Sequence, residues 1–417
     1  MLDIKDTLEL LNPWWKEGKI SKNLALKYRR KYYKKISSLK NLRQVVILSG
    51  LRRVGKTTLL YQNIEDLLKK NNPKKIFYFN FDKEVEDLLE LLNAYSELTG
   101  TDFKKEKIFV FFDEITKLKN WAEQLKIVYD SLPNIKFFVS SSSSVNLEQD
   151  AIKNLAGRYF LMNIYPLFFE EFLEIKNKQE FLKNKKLYAK ELKKEFELYF
   201  SRSFPECVFW EDELLIKDYL KTTLIDKIVK IDLSSRFDNL NVDLLFNLLD
   251  MFYSEPGIYL EYDNLAKNLR VSKKTLFDHI FYLEFCYLIR IVRNFRPSTL
   301  SSKRKLQRVY PYWWNMAFSY CSNRDKLLES FVASIKNLKY YWREGDKEVD
   351  FLEVSNKEIS AFEVKNKEKI TRRDISNLLY FLKKYHPKGS FVISKTPFKI
   401  EKIKSSSFVD FALDVEI

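Results

Sequence analysis

Short apolar runs alternate along the first part of the chain with stretches in which apolar residues recur at helical spacing. Gln44–Ser49 is an apolar run rich in β-branched residues, which predicts a strand, and Leu59–Lys70 follows a helical period. Three more runs are predicted strands: Lys75–Phe81, Lys107–Phe112 and Ile135–Ser140. Helices are predicted between them over residues 84–98 and 120–131. This alternation predicts an α/β fold with a doubly wound parallel sheet for residues 41–165.

The rest of the chain divides into segments of different pattern. Residues 1–40 form a basic N-terminal helical segment, and the alternating charges of residues 166–235 predict a helical lid or linker. In residues 236–310 the order helix, helix, turn, helix, strand predicts a winged-helix domain. A helix, a hairpin and an alternating strand predict a small α/β domain in residues 311–417. Because no apolar run approaches the length of a membrane span, we expect no membrane partner.

The junction between the first strand and the first helix carries the strongest chemical signal. The residues from Gly50 to Thr57 fit the phosphate-binding pattern GxxxxGK[ST] without a mismatch. The glycines let the backbone curl, so that consecutive N–H groups face phosphate oxygens at a helix N-terminus. Lys56 is placed to reach the β- and γ-phosphates of ATP, and the Thr57 hydroxyl to bind Mg²⁺. The residues predicted to bind nucleotide here are Gly50, Arg52, Arg53, Val54, Gly55, Lys56, Thr57 and Thr58.

An acidic pair follows the strand Lys107–Phe112. Asp113 is predicted to hold Mg²⁺ through water, and Glu114 to polarise the water that attacks the γ-phosphate. A site of this kind implies that another strand separates the P-loop strand from the acidic strand. Ile135–Ser141 is the predicted separating strand. Together with Lys56, the acidic pair forms the predicted catalytic group of an ATPase.

Two further features lie beyond the acidic pair. Ser140 or Ser141 would sense the γ-phosphate if the separating strand ends there, whereas a flexible loop is the alternative for the serine run 140–144. Arg158 is predicted either to act as an arginine finger, in its own site or in that of a neighbour, or to bind a carboxylate in the fold. Action on a neighbour would require a homo-oligomer.

A second constellation lies near the C-terminus. Asp350, Glu363 and Lys365 have the spacing D…ExK of the PD-(D/E)xK nucleases. Glu363 and Lys365 share one face of a predicted strand because they are two residues apart. Asp350 and Glu363 would hold Mg²⁺ while Lys365 orients or deprotonates water, with Glu329 as a further ligand. A structural salt-bridge cluster, or a nuclease fold without activity, is the alternative.

The charge of the chain is positive and unevenly distributed. The sequence has 73 Lys and Arg against 57 Asp and Glu, a net charge of +16. Asn23–Leu39 interleaves tyrosines with basic residues, which suits a nucleic-acid surface or a helix that packs Leu24, Tyr28 and Tyr32 on the next domain. A second basic stripe is predicted in the last part of the winged-helix segment and is expected to be exposed: Arg293, Arg296, Lys303, Arg304, Lys305 and Arg308. DNA or another nucleic acid is therefore a candidate partner.

The sparse residue types narrow the chemistry further. Only two histidines, His279 and His386, are present, so a metal site built on histidine is not expected. The three cysteines are far apart and form no CxxC pair, as expected of a reduced cytoplasmic protein.

The runs GLRRVGKTTLL, FFDEITKLKNW and LAGRYFLMNIYPLFFEEF resemble an archaeal and bacterial family of AAA-type P-loop ATPases. The resemblance extends over about residues 40–395. It implies an AAA/ASCE-type sheet, then a helical and winged-helix domain, then a small restriction-endonuclease-like domain of the PD-(D/E)xK type. Where the family commonly has TGSSS, this chain has Val139–Ser144 without a glycine.

Three functions are compatible with these patterns. The first is Mg²⁺-dependent ATP hydrolysis that drives or gates a machine acting on DNA or protein. The second is a Mg²⁺-dependent nuclease of nucleic acids in which ATP is an assembly switch. The third is a protein that binds ATP or ADP without hydrolysis and whose interactions the nucleotide gates. The intact P-loop and the acidic pair favour the first.

Overall fold

A five-stranded parallel sheet forms the centre of the first of two units into which the chain divides. The first unit ends at Tyr165 and the second begins at Pro166. The computed structural model describes residues 3–142, 154–234, 236–237, 239–296, 307–355, 358–400 and 402–414. In the part of the chain so described, no helix is long and apolar enough to cross a membrane.

Four of the five strands of the first unit follow the predicted runs closely, and the fifth, Tyr159–Asn163, was not predicted. In chain order they are β1 (Val45–Ser49), β2 (Ile76–Asn80), β3 (Ile108–Asp113), β4 (Ile135–Ser141) and β5 (Tyr159–Asn163). Their order in the sheet is β2-β3-β4-β1-β5, with every neighbouring pair parallel. Strands β1, β3 and β4 are buried along their whole length, as expected of a parallel sheet with helices on both faces. The predicted position of β4, between β1 and β3, is confirmed.

Six helices of the first unit are described. They are α1 (Ile4–Leu11), α2 (Trp14–Glu17), α3 (Tyr32–Ser38), α4 (Lys56–Leu68), α5 (Leu88–Thr99) and α6 (Trp121–Ser131). Helix α5 begins after Asp87, whose carboxylate accepts hydrogen bonds from two backbone N–H groups of the first turn, and it ends at Gly100 in the left-handed conformation. The apolar faces of α5 and α6 pack with β1–β4 in one hydrophobic core.

Helices α1 and α2 cover the exposed edge of the sheet at β2. The Asn12 side chain donates to the Tyr78 carbonyl (2.9 Å) and accepts from the Tyr78 N–H (2.7 Å), as a neighbouring strand would. The indoles of Trp14 and Trp15 both donate to the Ile76 carbonyl, at 3.0 and 2.9 Å. An edge strand with free N–H and C=O groups invites pairing with another chain, so these side chains protect it.

The basic segment Asn23–Leu39 packs within the first unit, as the second of the two alternatives proposes, but it is α-helical only over Tyr32–Ser38 and not before it. Arg29 forms ion pairs with Glu65 (2.9 Å) and Asp66 (3.0 Å) on α4. Gln62 of the same helix donates to two backbone carbonyls of the segment, at 2.6 and 2.7 Å. Tyr32 is buried as expected, whereas Leu24 is exposed, so polar contacts contribute more to this docking than the sequence suggests.

The helices of the second unit come mostly in its first half. They are α7 (Phe169–Ile175), α8 (Glu180–Lys183), α9 (Ala189–Ser201), α10 (Glu213–Asp218), α11 (Val242–Ser254), α12 (Tyr262–Asn268), α13 (Lys273–Phe285), α14 (Arg324–Ile335), α15 (Ser376–Tyr385) and α16 (Phe408–Leu413). Two π-helical stretches, Tyr219–Ile225 and Ile228–Leu233, follow α10. Helix α13 begins after Ser272, whose hydroxyl caps it by accepting from the Thr275 N–H (3.0 Å).

One eight-stranded sheet passes through the second unit. Its strands are β6 (Ile258–Tyr259), β7 (Ile289–Asn294), β8 (Gln307–Pro311), β9 (Tyr340–Glu344), β10 (Lys347–Ser355), β11 (Glu358–Lys365), β12 (Gly389–Ser394) and β13 (Lys404–Ser407). Their order is β13-β12-β11-β10-β9-β7-β8-β6. The end of β7 pairs with β9, so the segments predicted as separate domains share this sheet. Residues Ser405–Ser407 lie in β13 and pair with β12.

Candidate nucleotide site

The phosphate-binding loop leaves β1 through a turn that only glycine fits. Gly50 has a φ of +148°, and a Cβ atom on it would lie 2.1 Å from the Ile164 carbonyl oxygen. Gly55, with a φ of +91°, directly precedes the first residue of α4, Lys56. Both glycines therefore have a conformational reason to stand at the two ends of the motif. The loop places the N-terminus of α4 at the carboxyl edge of the parallel sheet.

Substitution of Gly50 by alanine is expected to displace the loop and destabilise the protein. The added methyl group meets backbone, which cannot rotate away, so we expect the free energy of unfolding to fall by about 2–4 kcal/mol. Gly18→Ala is the matched control, since Gly18 has a φ of +69° but no atom within 4 Å of an added Cβ. Strain alone should cost about 1 kcal/mol there. Urea denaturation of both variants checks this, and equal losses would contradict it.

Lys56 lies buried beneath the loop, with 5% of its surface exposed. Its Nζ donates to the carbonyls of Gly50 (2.8 Å) and Leu51 (2.9 Å). The same atom is 4.0 Å from a carboxylate oxygen of Glu114 on the neighbouring acidic pair. The ammonium group therefore lies between the two halves of the site, at the position from which it would contact phosphate oxygens.

Asp113 at the end of β3 is surrounded by hydroxyl groups. Its Oδ2 accepts from Thr57 Oγ1 (2.6 Å) and from the Tyr78 hydroxyl (3.1 Å), and its Oδ1 accepts from Ser140 Oγ. Burial, and after it the charge of Glu114, raises the pKa of this carboxyl above its ordinary value. A hydroxyl and a carboxylate in direct contact supply the oxygen ligands that Mg²⁺ prefers, so Thr57 and Asp113 fit this ion.

Glu114 is held in a left-handed backbone conformation, with a φ of 54°. Its N–H donates to Ser140 Oγ (3.1 Å). Its Oε2 accepts from the Ser142 N–H (2.9 Å) and hydroxyl (2.8 Å). Strand β4 thus orients both members of the acidic pair, because its last residues lie beside the end of β3. A residue strained in this way and fixed by several hydrogen bonds is typical of a functional site.

The serine run contributes differently from the sequence prediction. Ser140 and Ser142 contact the acidic pair, whereas Ser141 is fully buried and its hydroxyl contacts Thr116 Oγ1 (2.8 Å). Ser143 and Ser144 lie outside the described residues. The hydrogen bonds of Tyr78 with Asp113 and of Ser142 with Glu114 were not predicted. The strand order could have indicated Tyr78, because β2 is the neighbour of β3.

The remaining loop residues line the same turn. Val54 is buried, Arg52 and Thr58 are partly buried, and Arg53 is exposed with a φ of 66°. Their contact with nucleotide stays a prediction.

Arg158 lies at the opposite edge of the sheet from the P-loop. Its carbonyl accepts from the N–H of Val45, the first residue of β1, while the P-loop follows the last residue of that strand. The length of β1 puts about 13 Å between the two edges. The guanidinium binds the Asp130 carboxylate, with Nε 2.8 Å from Oδ1. The prediction that it acts as a finger in its own site is therefore wrong; it binds a carboxylate in the fold, and action on a neighbour stays a prediction.

The three residues of the predicted C-terminal site, Asp350, Glu363 and Lys365, lie next to one another. Lys365 Nζ lies 2.6 Å from Glu363 Oε1 and 3.9 Å from Asp350 Oδ2. Asp350 Oδ2 also accepts from the Val364 N–H (2.8 Å), which ties β10 to β11. Burial, with the charge of Asp350 second, raises the pKa of Glu363 to about 8. Glu363 Oε2 is buried without a hydrogen-bond partner in the described part of the chain, so this oxygen is available to a cation.

Glu329 on α14 lies near this group but has other partners. Its Oε2 is 3.5 Å from Arg308 Nη2 and 3.3 Å from the Tyr310 hydroxyl. Burial, and then the charge of Asp350, raises its pKa to about 7. Among the described residues, no three His, Cys, Asp or Glu side chains are grouped closely enough to hold a metal ion. The prediction of Glu329 as a third ligand beside Asp350 and Glu363 is therefore not supported.

Arg308 is not part of an exposed basic stripe, contrary to the prediction. It is 6% exposed by side chain, and its Nη1 donates to Glu348 Oε1 (2.9 Å). Its Nε donates to the Gly257 carbonyl (2.9 Å). A buried arginine of this kind requires carboxylate partners, and the ones it binds lie on other strands and helices. Three other predicted members of the stripe fall outside the described residues: Lys303, Arg304 and Lys305.

The sheet and the site together define the class of the first unit. A parallel sheet with β4 between the P-loop strand and the acidic strand, and with Lys56, Thr57, Asp113 and Glu114 at one edge, is a P-loop NTPase-like fold. Residues 42–173 match the family model described as AAA domain. This part of the chain is therefore similar to AAA domains. Residues 192–314 and 326–412 match two families described as domains of unknown function.

The chain is also similar to curated proteins from an archaeon and a bacterium. It is 29% identical over 358 residues to the uncharacterized protein MJ1544 of Methanocaldococcus jannaschii, covering 80% of this chain and 77% of that protein. It is 31% identical over 269 residues to MJ1637 of the same organism, covering 59% of this chain and 56% of that protein. An uncharacterized Haemophilus influenzae protein is 25% identical over 278 residues, covering 63% of this chain and 66% of that protein.

The chain is also similar to solved structures, with low TM-scores and low sequence identity. The Walker-type ATPase PABY2304 of Pyrococcus abyssi has a TM-score of 0.39 and 16% identity, with 70% of this chain and 95% of that chain covered. The Aeropyrum pernix ORC1 protein, solved in complex with DNA, has a TM-score of 0.36 and 10% identity, with 69% and 90% covered. At these TM-scores the likeness carries no argument about function.

Proposed function

We propose that the first unit binds ATP with Mg²⁺ and hydrolyses it. The observation that carries the proposal is the meeting of Lys56, Thr57, Asp113 and Glu114 at one edge of the sheet, in contact with one another. Each of these residue types has a separate task in phosphoryl transfer, and a purely structural turn would need none of them.

The roles follow from the positions of the side chains. Loop N–H groups at the start of α4 would bind the phosphates, with Lys56 adding positive charge. Thr57 and Asp113 would hold Mg²⁺, which neutralises charge on the phosphate oxygens when bound. Glu114 would accept a hydrogen bond from the attacking water and orient it. Ser140 donates a hydrogen bond to the Asp113 carboxylate and Ser142 to the Glu114 carboxylate, so each carboxylate is held in place by its own serine.

Phosphate release from ATP by the purified chain, with Mg²⁺ and with EDTA, tests this proposal. We expect Mg²⁺-dependent turnover that EDTA abolishes. Addition of duplex DNA tests the finer proposal of a DNA-interacting machine, since stimulation supports it and an unchanged rate speaks against it. Tight ATP binding without turnover would instead favour the nucleotide-gated binding protein. Absence of both binding and turnover would contradict the proposal.

The DNA-binding role rests on the segment 236–310 as a winged helix. The proposal is supported by the order α11, β6, α12, α13, β7, β8, and by the antiparallel pairing of β8 with both β6 and β7. Helix α13 would be the recognition helix. Lys273 and Lys274 at its start are exposed, as such a role requires. Lys273 pairs with Asp263 of α12, so Lys274 is the better candidate for phosphate contact.

A second candidate function is Mg²⁺-dependent cleavage of nucleic acid by the C-terminal group. The specific observation in its favour is the buried Oε2 of Glu363, which has no hydrogen-bond partner among the described residues. The other oxygen of this carboxyl group contacts Lys365, which also lies 3.9 Å from Asp350. Lys365 remains charged next to two carboxylates, and its pKa is raised by them against the effect of burial. It would orient a water molecule toward the phosphate rather than deprotonate it.

Cleavage of linear and circular DNA, and of RNA, with Mg²⁺ or Mn²⁺ tests this second function. We expect Lys365→Ala to reduce the cleavage rate by about a hundredfold or more, because it removes the group that orients water. Lys367→Ala is the control: Lys367 lies two residues on, but it is exposed and pairs with Asp374. A wild-type chain that cuts none of these substrates, or equal effects of the two substitutions, would contradict the proposal.

A further inference from the structure

Arg30 is buried next to the P-loop, although it belongs to the basic N-terminal segment. Only 6% of its surface is exposed. Its Nη1 donates to the carbonyl of Val54 (2.7 Å), the P-loop residue just before Gly55, and to the carbonyl of Tyr165 (2.7 Å), the last residue of the first unit. Its Cδ lies 3.9 Å from the position that a Cβ on Gly55 would occupy. One guanidinium nitrogen thus bridges two distant parts of the chain.

The contact with Val54 has a direct consequence for the phosphate cradle. In a loop whose N–H groups converge on a phosphate, the carbonyls of the same peptides point away from it and need donors of their own. Lys56 serves the carbonyls of Gly50 and Leu51, at the start of the loop. Arg30 serves the carbonyl of Val54, at its end. The Val54 carbonyl and the Gly55 N–H belong to the same planar peptide group, so a donor that fixes the carbonyl also orients the N–H.

The position of Arg30 is itself fixed by its neighbours in the chain. Arg29 pairs with Glu65 and Asp66, and the Tyr33 hydroxyl also contacts Asp66. The Tyr32 hydroxyl accepts from the Tyr165 N–H (3.4 Å) and its ring lies under the Arg30 guanidinium, 5.2 Å away. These three neighbours on the segment therefore hold the buried guanidinium at the loop.

We propose that Arg30 is a positioning residue of the nucleotide site. It holds the Val54 carbonyl so that the Gly55 and Lys56 N–H groups face the phosphates, and it links this loop to Tyr165. The basic segment is thus part of the nucleotide site and not only a surface for partners. This inference rests on the proposed binding of ATP to the P-loop.

Titration of wild type and variants with Mg²⁺-ATP by calorimetry tests the role of Arg30. We expect Arg30→Gln to raise the Kd about tenfold to a hundredfold, because a charged donor to two carbonyls is lost. Arg30→Lys, which keeps the charge but not the planar fork, should show a smaller rise. Arg29→Gln is the matched control, since it loses ion pairs of the same segment but touches no P-loop atom in the contacts described; its Kd should stay within about twofold.

Amide hydrogen exchange gives a readout that segment docking alone would not change. In wild type, ATP should slow exchange at the Tyr165 N–H as well as in the P-loop, and in Arg30→Gln only in the P-loop. An unchanged Kd in folded Arg30→Gln overturns the inference, as does an equal rise in Arg29→Gln. If Arg30→Gln does not fold, an unchanged Kd in Arg30→Lys decides against it. Failure of wild type to bind ATP would instead overturn the proposed function first.

Discussion

Replacement of Lys56 by alanine is expected to remove nucleotide binding, with the Kd for Mg²⁺-ATP rising by about a thousandfold. The ammonium group is buried among carbonyl oxygens and beside Glu114, so truncation of the side chain removes the positive charge from this position. The substitution also leaves the carbonyls of Gly50 and Leu51 without this donor. Both effects act on the same loop, which makes the expected loss large. Calorimetric titration with ATP and with ADP measures it.

Lys69→Ala is the control for this substitution. Lys69 lies at the other end of α4, is exposed and pairs only with Asp66 among the ion pairs described, so its loss should leave the Kd within about twofold. Circular dichroism and thermal unfolding show whether Lys56→Ala remains folded. Wild-type affinity in the folded Lys56→Ala variant would contradict the assignment of the P-loop as the nucleotide site.

Most of the sheet of the first unit was predictable because β1 to β4 are largely apolar runs, whereas β5 is only partly buried and was not predicted. Strands covered on both faces by helices have no polar side, so a run such as Ile108–Phe112 is visible without knowledge of its partners. The P-loop was predictable for a different reason. Its function requires glycine at two turns and a lysine at a fixed spacing, so sequence and geometry are tied locally.

Contacts between residues far apart in the chain were not predictable. Tyr78 and Ser140 contact Asp113 from neighbouring strands, and Asn12 pairs with the backbone of β2 from a helix 66 residues away. Nothing in the local pattern of these residues distinguishes them from other polar residues. Their roles come from the strand order, of which only the place of β4 between β1 and β3 was predicted, and from side-chain rotamers.

Charge patterns were the least reliable guide. Arg30 and Arg308 both stand in basic stretches that suggest exposure, and both are buried. Arg308 is accommodated because Gly257 leaves it room: a Cβ there would lie 2.7 Å from Nη2. Its carboxylate partner Glu348 is 40 residues away. A count of charges along the chain does not include such partners, so it overestimates the basic surface.

Replacement of Glu114 by glutamine should separate binding from catalysis. The amide has the shape of the carboxylate, and its oxygen can still accept from the Ser142 N–H and hydroxyl, so the loop geometry is kept. It cannot attract a proton from the attacking water, so kcat should fall about a hundredfold to a thousandfold while the Kd for ATP changes by less than about threefold. Single-turnover phosphate release and calorimetry measure the two quantities.

Glu123→Gln provides the comparison, because Glu123 is an exposed carboxylate on α6 and its neutralisation should change neither quantity. The contrast with Lys56→Ala is the sharper test, because the two side chains lie 4.0 Å apart, yet only the loss of Lys56 is expected to abolish binding. If both substitutions abolish binding, the acidic pair supports the fold of the loop rather than the chemistry. If Glu114→Gln hydrolyses ATP at the wild-type rate, another group orients the attacking water. The role assigned to Glu114 from its strained backbone and its serine contacts would then be contradicted.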